Sequence, residues 1–456
     1  MKIEQLPEDQ AHVEAYDRAL RKHGKTMLEE AAALMERYAA RGITTIKGAG
    51  FPLRPLFLPR RLLEEIGRSL IEGFERLRIA LLDHLEDSAW LAEHLPIPPA
   101  LFQHLNFRES LSKEAFFSVL RPDGFLFSDR YALIEPNFGN GSLISNAYTE
   151  ILFDYFQGST VFREIGWPST GLDRPFQRLI EMLRSRLPAG KQRYFVALFC
   201  HHWEHQVIQT WEERVIQQLY LAQQILAEQG IDTRVVYEDG FSIDESGHTH
   251  LKEDGQRVDL VLQFTIGTSF MDEPWLFEDA LAHLTSAKIG DAPLIKPLAS
   301  LCIDKGTLPL MNTLGGWPIC AEENFRVEIP WTTYPSSEGA AEYRLNKDQY
   351  VLKRAFDGKD THVGISTAGR LWNRVLAQAL ESKAYVLQRY QPMPQTIMPM
   401  CFDGEHIEWV PVRVELSPFL VEGRYAGAIA RYAPEAEGLV MSPPPENMGL
   451  TNVFGT

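Results

Sequence analysis

The sequence predicts a mixed α/β (α+β) protein of two or three closely packed units, on three observations. The chain has 456 residues, too many for one small core. Its first hundred residues are charged and Ala/Leu-rich and read as helices. From residue 193 apolar, strand-like runs alternate with helical stretches, an order that builds a parallel, nucleotide-binding-like sheet.

Each element has its own justification. Residues 8–41 form a charged helix, with Gly42 as its stop. A second helical stretch runs from about 60 to 92, up to the breaker LPIPP at 95–99. The pattern then changes: 115–120, 125–127 and 131–134 are aromatic or β-branched runs around Ser128, Asp129 and Arg130, which predicts a β-hairpin. Residues 194–199 are continuously apolar, the mark of a buried strand. Ile208, Trp211, Val215, Leu219, Ala222 and Leu226 follow at helical spacing, and Gly230 ends that helix. Strands at 233–237 and 258–264 flank an exposed turn at 244–247, with a helix near 276–285 after them. The last third begins with a helix at 305–314 and continues with strands at 350–353 and 385–390 around a helix at 371–380. A final hairpin pairs 412–420 with 424–431 through a turn at Glu422 and Gly423. No internal repeat or low-complexity linker interrupts the chain, and SPPPENMG near the end reads as a rigid loop.

Composition narrows the function. A hydrophobic content of 45% with 23% charged residues is ordinary for a globular protein. The formal charge of -16, without a run of Lys or Arg, repels phosphate backbones, so no nucleic-acid partner is expected. A local positive pocket can still take an anionic nucleotide. MKIEQLPEDQ lacks the apolar stretch of a signal peptide, and no apolar run is long enough for a bilayer. Cys200, Cys302, Cys320 and Cys401 lie far apart without a CxxC pair, which argues against a zinc site or disulfide framework. The expectation is a cytoplasmic protein with no membrane association.

The most informative segment is RPDGFLFSDRYALIEPN, residues 121–137. With Phe127 opposite Tyr131, Asp123 falls opposite Glu135 and Arg121 opposite Asn137, and alternation points all four to one face. Two opposed carboxylates repel. A cation between them turns that penalty into binding, and oxygen donors suit Mg²⁺. Gly139 and Gly141 allow close backbone approach. The competing reading makes Asp123 a turn residue and Glu135 a cap.

Arg-x-Asp followed by Glu-x-Asn resembles the metal-binding hairpin of the glutathionylspermidine synthetase-like proteins, a circularly permuted ATP-grasp family. The gaps also match: 12 residues from Asp123 to Glu135 and 14 to Asn137. Three later segments resemble the remaining parts of the nucleotide site, in the family's order. Lys305 opens the helix of CIDKGTLPLM, and Lys353 ends a strand before the loop that holds Gly358 and Gly364. The strand at 388–390 resembles the hinge whose backbone pairs with adenine. VELSPFLVEGRYAGAIARYAPE resembles the closing hairpin, with Arg431 reaching the transferred phosphate, and NMGLTNVF the segment that returns over the active site. The resemblance runs in pieces from about residue 115 to the end.

The resemblance implies a permuted ATP-grasp fold with four parts. Residues 1–190 would supply N-terminal helices and the metal hairpin, and 191–317 a pre-ATP-grasp-like substrate domain. Residues 318–400 would be the lid, and 401–456 would complete the core. It implies an ATP-dependent carboxylate–amine ligase that forms an amide or peptide bond through an acyl phosphate and releases ADP. Asp123, Glu135 and Asn137 would hold Mg²⁺, while Lys305, Lys353, Gly358, Gln388 and Tyr390 would contact ATP. Arg121 and Arg431 would be the catalytic cations. The substrates would be small: an amino acid, short peptide or polyamine. A phosphotransferase or a non-catalytic nucleotide sensor is the alternative.

The sequence departs from the family in its lid loop, FDGKDTHVG, which is poor in glycine, and at Arg389 and Gln263, where relatives often carry Glu and Arg. No amidase-like domain with a catalytic cysteine is present. His201, His202 and His205 read as a substrate contact or a helix-starting cluster. His248 and His250 lack a third metal ligand, and Trp203, Trp211, Trp317 and Trp331 read as packing residues.

Overall fold

A computed structural model describes residues 4–40, 50–95, 107–137, 147–167, 174–199, 213–263, 288–295, 304–315, 325–355, 360–434 and 449–456. The expected helix at 276–285 and the SPPPENMG loop up to Met448 lie outside these residues.

One ten-stranded sheet joins the two ends of the chain. Its spine is a long hairpin, Glu408–Val421 with Arg424–Pro434. Glu422 (φ 51°) and Gly423 (φ 70°) both adopt the left-handed region that a two-residue hairpin turn requires. On one side of this hairpin lie Asp123–Leu126, Arg130–Glu135 and Arg326–Glu328; on the other lie Gly449–Gly455 and Leu56–Leu58. The C-terminal tail is therefore a buried strand. It pairs antiparallel with the long hairpin and parallel with Leu56–Leu58. This corrects the expectation that it returns over the active site.

Opposite faces of the sheet pack against different helices. Arg60–Asp83 lays Leu63, Ile66, Leu70, Phe74 and Leu77 against the face that carries Leu416, Ala430 and Tyr432. The other face meets Gln10–Ala39, Ala147–Gly158 and Pro175–Arg186. The first of these helices is kinked at His23. The stretch expected at 60–92 breaks after Asp83, because Asp87 caps a new helix, Ser88–His94, by accepting from the Trp90 backbone N–H at 2.9 Å.

Two smaller sheets flank the large one. Tyr194–Phe199, Ile231–Val236, Leu260–Gln263 and Ala292–Ile295 run parallel, as the strand–helix–strand order implied. Thr332–Thr333, Tyr385–Arg389, Tyr350–Arg354 and Thr361–Val363 form an antiparallel sheet backed by Gly369–Glu381. Its core is its own: Tyr343, Leu352, Trp372, Leu376 and Leu387. Gln395–Cys401, which the sequence reading put with this unit in 318–400, pairs with Glu408–Val421 in the large sheet instead.

A buried ion network fastens the N-terminal segment to that large sheet. Arg54, 1% exposed, donates to Glu8 at 2.8 Å and to the Ile397 carbonyl at 2.7 Å, with Asp17 at 3.4 Å. Removing one partner of a buried pair leaves a desolvated charge. Glu8→Ala should therefore lose about 3 kcal/mol in urea unfolding. Glu8→Gln, which retains an acceptor oxygen, should lose less.

Candidate active site

The acid hairpin forms, but its register is irregular. At its tip Phe127 N–H donates to the Arg130 carbonyl, and Leu126 lies opposite Tyr131, one residue off the expected pairing. A one-residue bulge between Asp123 and Gly124 then restores the pairing, so Asp123 does face Glu135, and the Arg121 N–H donates to the Asn137 carbonyl at 3.0 Å. Simple alternation from the tip would turn Glu135 to the side of Tyr131 and Leu133, against the helix Arg60–Asp83. The bulge brings it back to the face of Asp123.

The long hairpin repeats this device. Leu420 faces Tyr425 near its turn, but a register shift between Pro418 and Leu420 places Glu415 opposite Arg431. Sequence reading missed Glu415. Its signal was a lone acid in the apolar run VELSPFLV, and the turn-based register would have set Val414 against Arg431.

These two irregularities converge on one carboxylate. Asp123 is 1% exposed. It accepts from Arg121 Nε and Nη2 at 3.1 and 3.0 Å, from Asn137 Nδ2 at 2.5 Å, and from Arg431 Nη2. Burial pushes its pKa up, but the guanidinium groups of Arg121 and Arg431 outweigh burial and hold it below the usual carboxylate range. Arg431 also sets its Nε 2.9 Å from Glu415.

Two lysines complete the cluster. Lys305, 2% exposed in its side chain, stands 2.9 Å from Glu135. It starts a short turn capped by Asp304, whose carboxylate accepts the Lys305 backbone N–H at 2.7 Å and lies 3.6 Å from its ammonium. Lys353, on the small antiparallel sheet, donates to the Ile134 carbonyl at 3.1 Å. Further bonds tie that sheet to the Lys305 turn: Tyr334 Oη donates to the Gly306 carbonyl at 2.7 Å, and Gly306 N–H to that of Ala355 at 2.9 Å. Burial lowers the Lys353 pKa to about 8. It raises Asp304 to about 6 and, against the pull of Arg431, Glu415 to about 7.

Other expected contacts are differently arranged. Gln388 is buried and donates to Thr332 Oγ1 at 3.0 Å. Within the strand whose backbone was expected to pair with adenine, the N–H groups of Arg389 and Tyr390 donate to the carbonyls of Trp331 and Gln349, each at 2.8 Å. Gly358, His201, His202 and His205 lie outside the described residues. His248 and His250 pair with Asp291 at 2.8 Å and Asp244 at 3.0 Å, and no three-ligand metal cluster occurs among the described residues. No helix among those residues is long and apolar enough to cross a membrane.

No family model matches the chain, and no curated protein matches its sequence. Among solved structures the chain is similar to a glutathione synthetase like-effector from Globodera pallida in apoform. That likeness has 12% identity and a TM-score of 0.47, and covers 95% of this chain and 97% of that one. It is also similar to a protein assigned as a gamma-glutamylcysteine synthetase from Methylobacillus flagellatus KT, at 10% identity and a TM-score of 0.40, covering 89% and 90%. D-alanyl-alanine synthetase A from Vibrio cholerae O1 biovar eltor follows, at 10% identity and a TM-score of 0.28, covering 58% of this chain and 89% of that one.

Two outcomes follow from the site's geometry. A Cβ at Gly124 would sit 2.6 Å from the Ala132 carbonyl oxygen and against the Tyr131 ring. Gly124→Ala should therefore cost about 1–3 kcal/mol of stability in urea unfolding. The second concerns pH. The folded protein holds the Glu415 proton more tightly than the unfolded chain, so stability contributed there is full below 4.5 and lost as pH rises through about 7. Asp304 acts with the same sign between 3.8 and about 6. Over pH 4.5 to 7 the Tm of Glu415→Gln should thus fall less than that of the wild type.

Proposed function

We propose that the protein is an ATP-dependent carboxylate–amine ligase that works through an acyl phosphate. The observation that carries this reading is a single cluster of four cations and four carboxylates drawn from four separate segments: Asp123, Lys305, Lys353 and Glu415, which are buried, with Arg121, Glu135, Asp304 and Arg431, which are partly buried. Such a set can exchange its internal partners for the phosphates and counter-ion of a nucleoside triphosphate. A sheet built from both chain ends, with Lys353 reaching it from a smaller sheet, supports a permuted ATP-grasp core with a lid.

In this reading a substrate carboxylate oxygen attacks the γ-phosphorus, a new O–P bond forms, and the bridging bond to the β-phosphate breaks to release ADP. An amine then attacks the acyl carbon, phosphate leaves, and the amine loses a proton. Arg121 and Arg431 stabilise charge on the migrating phosphoryl group, and Lys305 and Lys353 bind phosphates as point charges. The carboxylates of Asp123 and Glu135 and the amide oxygen of Asn137 are the donor types a hard cation takes, and Mg²⁺ held there would neutralise phosphate charge. Closing of the lid over the cluster would exclude water that would hydrolyse the acyl phosphate. Small carboxylates and amines, such as amino acids, short peptides or polyamines, are the substrate class.

Purified protein incubated with Mg·ATP, pooled carboxylic and amino acids, and hydroxylamine should yield ADP and a hydroxamate. AMP in place of ADP would overturn the acyl-phosphate mechanism. Arg431→Ala should lower kcat by about 10²–10³ while changing the KM for ATP far less. Glu135→Ala should lose turnover on a similar scale, and full Mg·ATP turnover in that variant would remove its metal assignment. The glycine-poor lid loop FDGKDTHVG favours a second reading, a nucleotide sensor, which would bind ATP in the same sample without turnover.

A further inference from the structure

We infer that this site takes a divalent metal only together with a polyphosphate, because Asp123 is locked by its own cations until an anion draws them away. The inference rests on the reading of the cluster as a nucleoside triphosphate site and adds the order in which its charges are exchanged.

A carboxylate offers about four lone-pair positions. At Asp123 four N–H groups converge on the two oxygens: Arg121 Nε on Oδ1, and Arg121 Nη2, Asn137 Nδ2 and Arg431 Nη2 on Oδ2, which is crowded beyond its own two positions. Asn137 points its amide nitrogen at Asp123, so its oxygen is turned away from the carboxylate it would share a cation with. Glu135 is held by Lys305, and Glu415 by Arg431. A metal arriving alone would have to displace guanidinium groups from Asp123 and then sit beside them in a desolvated site. Like charges at that spacing repel strongly in a medium of low polarity.

A polyphosphate arriving alone meets the reverse problem. Drawing Arg121 and Arg431 onto phosphate oxygens would leave Asp123 buried, charged and unpaired beside them. Arriving together, the two ligands exchange partners without leaving any charge uncompensated: phosphates take the arginines and lysines, and the metal takes the carboxylates. Each ligand then strengthens the other's binding by the same factor, as linkage requires.

The test is a titration of the full chain with Mn²⁺, followed by the EPR signal of the free ion, with and without ADP. After allowance for Mn·ADP in solution, ADP should tighten Mn²⁺ binding by about a hundredfold or more, the scale of an unpaired buried charge. Stoichiometric uptake of Mn²⁺ alone, within about tenfold of its affinity with ADP, would overturn the inference. If ADP binds under no condition, the nucleotide reading fails, and the lock is decided separately by Arg121→Gln/Arg431→Gln. With both guanidinium groups gone, Mn²⁺ alone should bind at least about tenfold more tightly than to the wild type. Unchanged affinity in a variant whose circular dichroism is native would overturn the lock.

Discussion

A carboxylate removed from water must be compensated, and Asp123 is the point where this requirement organises the molecule. It is buried to 1% exposure and answered by three residues from three places: Arg121 two residues earlier, Asn137 across the hairpin, and Arg431 on the long hairpin. Leaving such a group unpaired costs several kcal/mol, a large part of the stability of a folded chain. The pairing of the first hairpin with the second, through Gly124 opposite Leu416, is therefore held by charge as well as by backbone hydrogen bonds. Tyr131 adds to the joint from beneath. Its hydroxyl lies 3.1 Å from the Leu416 carbonyl and 3.2 Å from that of Pro122, bridging the two hairpins on the apolar side.

Charge balance explains why so many ionisable groups share one site. The cluster holds four acids and four bases, so neither sign dominates, and burial shifts its outliers toward neutrality: Lys353 down to about 8, Glu415 up to about 7 and Asp304 up to about 6. A set of this kind is stable because its charges are paired with one another. Perturbed pKa values cluster at functional sites, and ion-pair networks that only hold a fold perturb them as well.

The sequence disclosed the parts of this site that lie close together along the chain. Arg121, Asp123, Glu135 and Asn137 fall within one hairpin, and a two-residue period counted from the expected tip placed them on one face in the sequence. The expected register was nonetheless one residue off at the tip, and only the bulge at Asp123 reconciled the two. Glu415 was hidden for the same reason, since no local signal marks the shift between Pro418 and Leu420 that sets it against Arg431. Asp304 was hidden differently: beside Lys305 it reads as a cap, which it also is. The parallel sheet was legible because its central strands, Tyr194–Phe199 and Leu260–Gln263, are apolar almost throughout. The fate of the tail was not, because Thr451 and Asn452 are polar yet buried between two strands that come from opposite ends of the chain.

A bulge has a second consequence that ties the smaller sheet to the charge cluster. Where one strand carries an extra residue, the ladder loses a pairing and a backbone group is left seeking a partner. In the acid hairpin the extra residue is Ile134, and its carbonyl accepts from Lys353 at 3.1 Å. The irregularity that returns Glu135 to the side of Asp123 thus also supplies the acceptor that receives a lysine from the antiparallel sheet. Lys353 is buried in this contact, so its ammonium depends on that carbonyl and on nearby acids, Glu135 first among them. A regular hairpin would satisfy its own carbonyl and would turn Glu135 away. It would lose the acid pair and the docking point together.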